Sequence, residues 1–222
     1  MAGLPFTSEQ FFAVFAAYNA AIWPAQIIAY ALGVAAVISL LVRWKHAAAF
    51  ALGVLAVLWA WNGVAYHFYH FAVINIAAYL FSALFLAQAG LLAAAAFPGE
   101  RIRVEAPRVG YAVAAWALML YALVIYELLG HLAGHGSLEG PLFGVAPCPT
   151  TIFTIAVLLL LRGNGVFALS IIPFAWAIVG TSTAIVLSVP EDLGLAVAAV
   201  ALAARWLDRQ GSVSAQNTSG ET

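Results

Sequence analysis

Residues 22–66 read IWPAQIIAYALGVAAVISLLVRWKHAAAFALGVLAVLWAWNGVAY. Two apolar runs, 22–42 and 47–66, flank the basic tetrapeptide Arg43-Trp44-Lys45-His46. A helix rises 1.5 Å per residue, so about 20 mostly apolar residues cross ~30 Å of hydrocarbon. Each run has that length and neither carries a charged residue. The stretch therefore predicts two membrane-spanning helices joined by a short basic loop.

The pattern recurs along the chain. Residues 73–97 form a third run, stopped by Pro98-Gly99, and 109–129 form a fourth, after the break at Pro107. Residues 167–187, with Pro173 inside, and the short Ala/Leu-rich 193–207 give a sixth and a seventh. The fifth is different. Ile152–Leu161 is too short to span alone, and Phe143–Thr151 cannot be regular helix through Pro147 and Pro149. Irregular backbone at membrane depth needs cover from protein or a cavity. The segment is thus either a half-helix with an extended approach or a loop just outside the bilayer.

Composition agrees. Of 222 residues, 65% are hydrophobic and 8% charged, with a mean hydropathy of +1.02. Soluble domains are about half apolar and a quarter charged. A soluble globule and a disordered chain are both excluded. Nucleic-acid binding has no basic excess to support it. The single cysteine excludes an internal disulfide and a multi-cysteine metal cluster. The expected fold is all-α, a polytopic transmembrane bundle whose partner is the lipid bilayer.

Orientation follows from the basic residues. With seven spans and the N-terminus outside, Arg43, Lys45, Arg101, Arg103, Arg108, Arg162, Arg205 and Arg209 all fall on the cytoplasmic side. Ahead of the spans, Thr7 and Gln10 have capping-box spacing. The apolar run 11–42 would be about 48 Å as one helix, too long to span without a break, and Trp23-Pro24 supplies one. Residues 1–21 therefore read as an outer-face interfacial helix rather than a removable leader. Residues 22–207 read as the seven-span domain, and the polar 208–222 as a disordered cytoplasmic tail.

Four of the five histidines fall on the outer side: His67, His70, His131 and His135. Glu127, Cys148, Glu191 and Asp192 are expected in the same layer. Glu127, His131 and His135 are spaced four apart, which puts them on one helical face. His67 and His70 are one turn apart, and His70 extends a polar stripe through Asn62 and Tyr66. Such sets can bind a divalent ion such as zinc, with Cys148 as a soft ligand and Glu127 as ligand or base. The alternatives are interfacial histidines, which are at home at that depth, or a proton relay. Glu127 lies in or near an apolar span, where a carboxylate must be paired, protonated or functional. Cys148 lies near a helix start, where the dipole favours a thiolate, although Pro-Cys-Pro-Thr-Thr is equally a rigid helix opening. Glu191 and Asp192 suit the first turn of the last span.

Three blocks carry a resemblance. They are the start Leu4-Pro5-Phe6-Thr7 with Gln10-Phe11-Phe12-Ala13-Val14-Phe15, the block Phe143 to Phe153 (FGVAPCPTTIF), and Val189-Pro190-Glu191-Asp192-Leu193-Gly194-Leu195. Together they resemble a family of small bacterial multi-pass membrane proteins of unknown function, some loosely labelled permeases. The resemblance implies a bacterial inner-membrane location and supplies no catalytic residues. In architecture alone the chain is also similar to membrane zinc hydrolases such as alkaline ceramidases, whose His-x3-His lies in the last span. Here the seventh span has no histidine. Three functions remain open at this point: a metal-binding membrane protein, such as a hydrolase of lipid-like substrates; a small-solute or ion permease; or a non-enzymatic subunit or sensor.

Overall fold

The computed structural model describes residues 4–96, 102–105, 108–134, 136 and 138–219, the last ten by backbone alone. The chain is helical, as expected. In order come α1 (Ser8–Ala21), α2 (Ala25–Leu41), α3 (Ala47–Trp61), α4 (Ala78–Ala96), β1 (Ile102–Val104), α5 (Val109–Leu120), α6 (Tyr126–Leu132), α7 (Pro147–Leu160), β2 (Leu161–Gly163), α8 (Val166–Leu187) and α9 (Gly194–Ser219). A π-helical segment, Asn62–Phe68, continues α3, and another, Tyr121–Ile125, joins α5 to α6. Four stretches are long and apolar enough to cross a membrane: Ala47–Val73, Ala78–Ala96, Val109–Leu132 and Val166–Leu187. The pair α1 and α2, bent by 88°, makes a fifth if taken as one span.

The local expectations at the N-terminus hold. Thr7 caps α1 with a reciprocal capping box to Gln10, and the chain turns between α1 and α2 at Trp23-Pro24. The third run begins later than its composition predicts, at Ala78 rather than residue 73. The Asn75 side chain accepts the Ala77 N–H at 3.1 Å, satisfying a helix-end donor locally. The last helix continues past Asp208 to Ser219, into the stretch whose composition suggests disorder.

Side-chain contacts gather at two ends of the bundle. Arg43, Lys45 and His46 share one opening with Ala95, Ala96, Ile102–Glu105 and Leu160. Arg108 bridges Asp208 at 2.6 Å at the same end, and Arg205 reaches the carbonyls of Leu159 and Leu161 there. Every described Lys and Arg is thus on or beside that end. At the other end Tyr18 meets Val145, Tyr30 meets Glu127, Tyr126 meets Asp192 and Ser8 meets Leu187.

At the centre stands α7. Thirteen of its fourteen residues are buried, Cys148 being partly exposed. A helix apolar all round belongs inside a bundle. Its C-terminal carbonyls would be orphans in an apolar core. Two guanidinium nitrogens of Arg205 serve those of Leu159 and Leu161, and the Glu105 N–H serves Leu160 at 3.0 Å. Antiparallel pairing of β1 with β2 brings Glu105 there.

The chain reaches α7 through a non-helical approach, 140–146, all of it buried and turned at 143–145, where the Ala146 N–H donates to Leu142 O at 2.9 Å. Its backbone is satisfied by side chains, as a buried irregular segment requires. The Tyr18 hydroxyl donates to Val145 O at 2.8 Å, Asn62 Nδ2 to Gly144 O at 2.9 Å and Asn19 Nδ2 to Gly140 O at 2.9 Å. Gly144 has φ 77°, and a Cβ there would lie 2.7 Å from the Ala29 Cβ. The approach is therefore a protein-covered turn rather than the expected extended entry. The helix α7 begins at Pro147 and runs through Pro149, so 147–151 is helical against the expectation: both prolines lie in the first turn, where a missing N–H leaves no helical bond unmade.

Candidate functional site

The end opposite the basic residues collects most of the sequence candidates. Its construction begins with the π turn at 121–125. An i to i+5 repeat puts residues five apart on one face, and Tyr121 and Tyr126 accordingly lie with ring centroids 6.2 Å apart. Both hydroxyls point at the turn Pro190–Leu193, which joins α8 to α9. Tyr121 donates to Glu191 O at 2.7 Å and Tyr126 to the Asp192 carboxylate. The Cys148 thiol also hydrogen-bonds to Asp192. Burial pushes the Asp192 carboxyl up to about 7, against the pull of those two donors, and neighbouring Glu191 adds to the rise. Cys148 therefore serves as a donor to a carboxylate.

The two histidines of the 67/70 pair diverge. His67 is fully buried and ringed by Phe71, Phe81, Phe85, Trp176 and Tyr66, with centroids 4.6 to 6.1 Å away. Neither of its ring nitrogens has a hydrogen-bond partner. Half-buried His70 instead places Nδ1 2.7 Å from Ala65 O and packs edge-on against Tyr18. The expected stripe also divides. Asn62 holds Gly144, while Tyr66 stacks between Phe15 and Phe71.

Glu127 and His131 do share a face of α6 and border one small opening of about 20 Å³, with Tyr126, Gly130, Gly136, Gly140, Pro141, Leu142 and Glu191. That volume suits one water-sized group. His131 is exposed. His135, the third member of that expected set, lies outside the described residues; α6 is Tyr126–Leu132. Among the described residues no three of His, Cys, Asp and Glu are grouped so as to hold a metal ion.

A second opening, about 330 Å³, adjoins the first and shares Glu127 and Leu142 with it. Its other walls are Trp23, Gln26, Ile27, Tyr30 and Leu138. The Tyr30 hydroxyl donates to Glu127 Oε2 at 2.8 Å. Gln26 is 4% exposed; its Nε2 donates to Asn19 O, while its Oε1 has no partner. Trp23 is largely exposed at the rim. Sequence reasoning passed over Tyr30, Trp23 and Gln26 as site residues. The available signal was the break at Trp23-Pro24, because a sharp bend there turns the start of α2 toward the loop after α6.

A family model described as a family of unknown function (DUF6064) matches residues 8–215, so the chain belongs to that family. No curated protein and no solved structure matches it.

Proposed function

We propose that the chain crosses the bilayer seven times, N-terminus outside and C-terminus in the cytoplasm. We further infer that its outer end binds an amphiphile bearing a primary ammonium group. The collection of the described basic residues at one end of the bundle supports the topology. Burial of α7 from Ile152 to Leu160 fills the middle of the bundle with side chains, which favours binding at one end over passage through it.

The observation that carries the binding reading is the pair of openings meeting at Glu127. The small one takes an ammonium-sized group and the larger one an alkyl chain, its walls being mainly Trp23, Ile27, Leu138 and Leu142. No Lys or Arg lines either opening among the described residues. Glu127 is thus a carboxylate at membrane depth held by one hydroxyl, the situation in which an ionisable group marks a functional site. Gln26, with its unpartnered buried carbonyl, and Trp23 line the larger opening beside Glu127, and so flank the chain of the ligand rather than its ammonium group. In this reading Glu127 acts as a counter-charge.

The test is thermal stability of the purified protein in neutral detergent, titrated with octylamine or octanol. Octylamine is expected to stabilise the wild type, octanol not, and Glu127→Gln is expected to lose the response. Equal responses to amine and alcohol, or an unchanged response in Glu127→Gln, would overturn the binding reading. Activity of a cytoplasm-dependent reporter fused after residue 222 tests the topology. An inactive reporter there would overturn it.

A further inference from the structure

The end opposite Glu127 carries a larger concave surface. An opening of about 870 Å³ is built where α2 ends, α3 begins, α4 ends and α5 begins, floored by the β1 segment and Leu160. Arg43, Lys45, His46 and Arg103 line it beside Trp44 and Trp116, with Ala48, Ala49, Ala95, Ala96 and Ala112 as its apolar part. One carboxylate, Glu105, shares the wall, but Arg162 holds it at 2.6 Å. Among the described residues Arg43, Lys45 and Arg103 make no ion pair. Three cations therefore face one cavity with no ion-pair partner among the described residues.

Arg43 adds a second observation. Trp44 N donates to Ser39 O and Arg43 N to Leu40 O, at 3.1 and 3.3 Å. These two bonds make a Schellman motif closing α2, with Arg43 at its left-handed position, φ 51°. Glycine is the inexpensive residue there, since a side chain makes the left-handed region unfavourable. The chain instead keeps an arginine at the rim of the basic cavity. Backbone strain of this kind, held in place by its surroundings, points to a functional requirement.

We propose that this cavity binds the phosphate headgroup of an anionic phospholipid. The cations sit where the spanning helices end, the level of lipid phosphates, and basic pockets between spanning helices on the cytoplasmic side take such headgroups. The two tryptophans suit that interfacial depth. The alanine-lined wall leaves room for the upper part of an acyl chain. The Arg43, Lys45 and Arg103 head groups supply the charge.

Native mass spectrometry of the whole protein with added phosphatidylglycerol or phosphatidylcholine tests this. Phosphatidylglycerol is expected to bind at least tenfold more tightly, with the preference shrinking as ionic strength rises. Arg103→Gln and Lys45→Gln are each expected to reduce the preference about fivefold, and Arg103→Lys to retain it. Arg43→Gly separates site from fold. It is expected to leave the melting temperature in phosphatidylcholine unchanged or raised, and yet to lose the lipid preference about fivefold. Equal binding of the two lipids, or a preference that survives Arg43→Gly together with Arg103→Gln, would overturn the proposal. So would inorganic phosphate or glycerol 3-phosphate competing fully at millimolar concentration, which would assign the cavity to a soluble anion.

Discussion

Replacing Arg205 separates two roles that an arginine at the basic end can have. It sits 9% exposed on α9, and its two terminal nitrogens serve the carbonyls of Leu159 and Leu161, one at 2.6 Å. Arg205→Met removes both donors, leaving the Leu159 carbonyl without a side-chain donor and the Leu161 carbonyl with only the long contact from Arg209 Nη2 at 3.5 Å. Hydrogen bonds to charged groups contribute about 1.5–3 kcal/mol each. Side-chain hydrogen bonds within membranes average nearer 0.6 kcal/mol. Two bonds thus bracket the loss between about 1 and 6 kcal/mol, and we expect about 3 kcal/mol, or roughly a hundredfold in the folding equilibrium. Arg205→Lys keeps the charge but has no fork, and a compact ammonium reaches one carbonyl well. It is expected to lose about half as much. The control is Arg108→Met at the same end. Arg108 is paired with Asp208, but the two side chains are 74% and 42% exposed, so its loss should cost under about 1 kcal/mol. The assay is reversible unfolding in mixed micelles followed by tryptophan fluorescence. Equal losses in Arg205→Lys and Arg205→Met would refute the bidentate capping argument. Equal losses in Arg205→Met and Arg108→Met would show that only net positive charge at this end matters.

Gly144→Ala is expected to cost more than about 2 kcal/mol in the same assay. The left-handed backbone alone accounts for about 1–2 kcal/mol, and the new Cβ meets Ala29 at 2.7 Å; Ala29→Gly should recover the steric part only. Trp59 Nε1 donates to Thr154 Oγ1 at 2.8 Å within the core. Thr154→Val is therefore expected to destabilise by about 1–2 kcal/mol by stranding the indole N–H, and by much less when Trp59 is already Phe. Additive losses would exclude that bond as a determinant. Asp192 gives a pH prediction. Its folded pKa near 7 lies above its ordinary value of 3.8. Between those values the folded state holds the proton and the unfolded state does not, so stability falls as pH rises from about 4 to 7. Melting temperature should drop across that window in the wild type and drop less in Asp192→Asn; parallel curves would remove Asp192 as the titrating group.

Much of the architecture is legible because it rests on period, length and charge. The Thr7–Gln10 capping box, the break at Trp23-Pro24 and the collection of Lys and Arg at one end all follow from local chemistry or from the cost of charge in hydrocarbon. The bundle's polar details were less legible. The His67/His70 and Asn62/Tyr66/His70 groupings assume an α-helical repeat. A π turn begins at Asn62, so Asn62 points to Gly144 while His67 enters a ring of aromatics. Tyr126 lay beside the conspicuous Glu127 and drew no notice. It faces Asp192 through a second π turn, which apolar sequence does not announce. Arg43 is a similar case. Its charge marks the basic end, whereas its left-handed backbone depends on the pair of hydrogen bonds that closes α2.

These departures share a physical cause, and it bears on where function resides. A uniform α-helical bundle of Ala, Leu and Val could fill a bilayer with no polar group out of register. This chain departs from that plan at its two ends and in the approach to α7. At one end two π turns and a sharp bend aim tyrosines, a glutamine and acids inward; at the other a strained arginine faces a basic cavity. The middle, from Ile152 to Leu160, obeys the simple rules and is packed. Irregular backbone in an apolar setting persists only where side chains satisfy it, so each departure needed partners that a regular helix does not. Asn19, Tyr18, Asn62 and Arg205 supply them for the half-helix α7. The rigid centre thereby fixes the separation of two chemically opposite ends. A carboxylate opening beside Trp23 and a cationic opening beside Trp44 then stand at opposite ends of one scaffold, and each can be tested without disturbing the other.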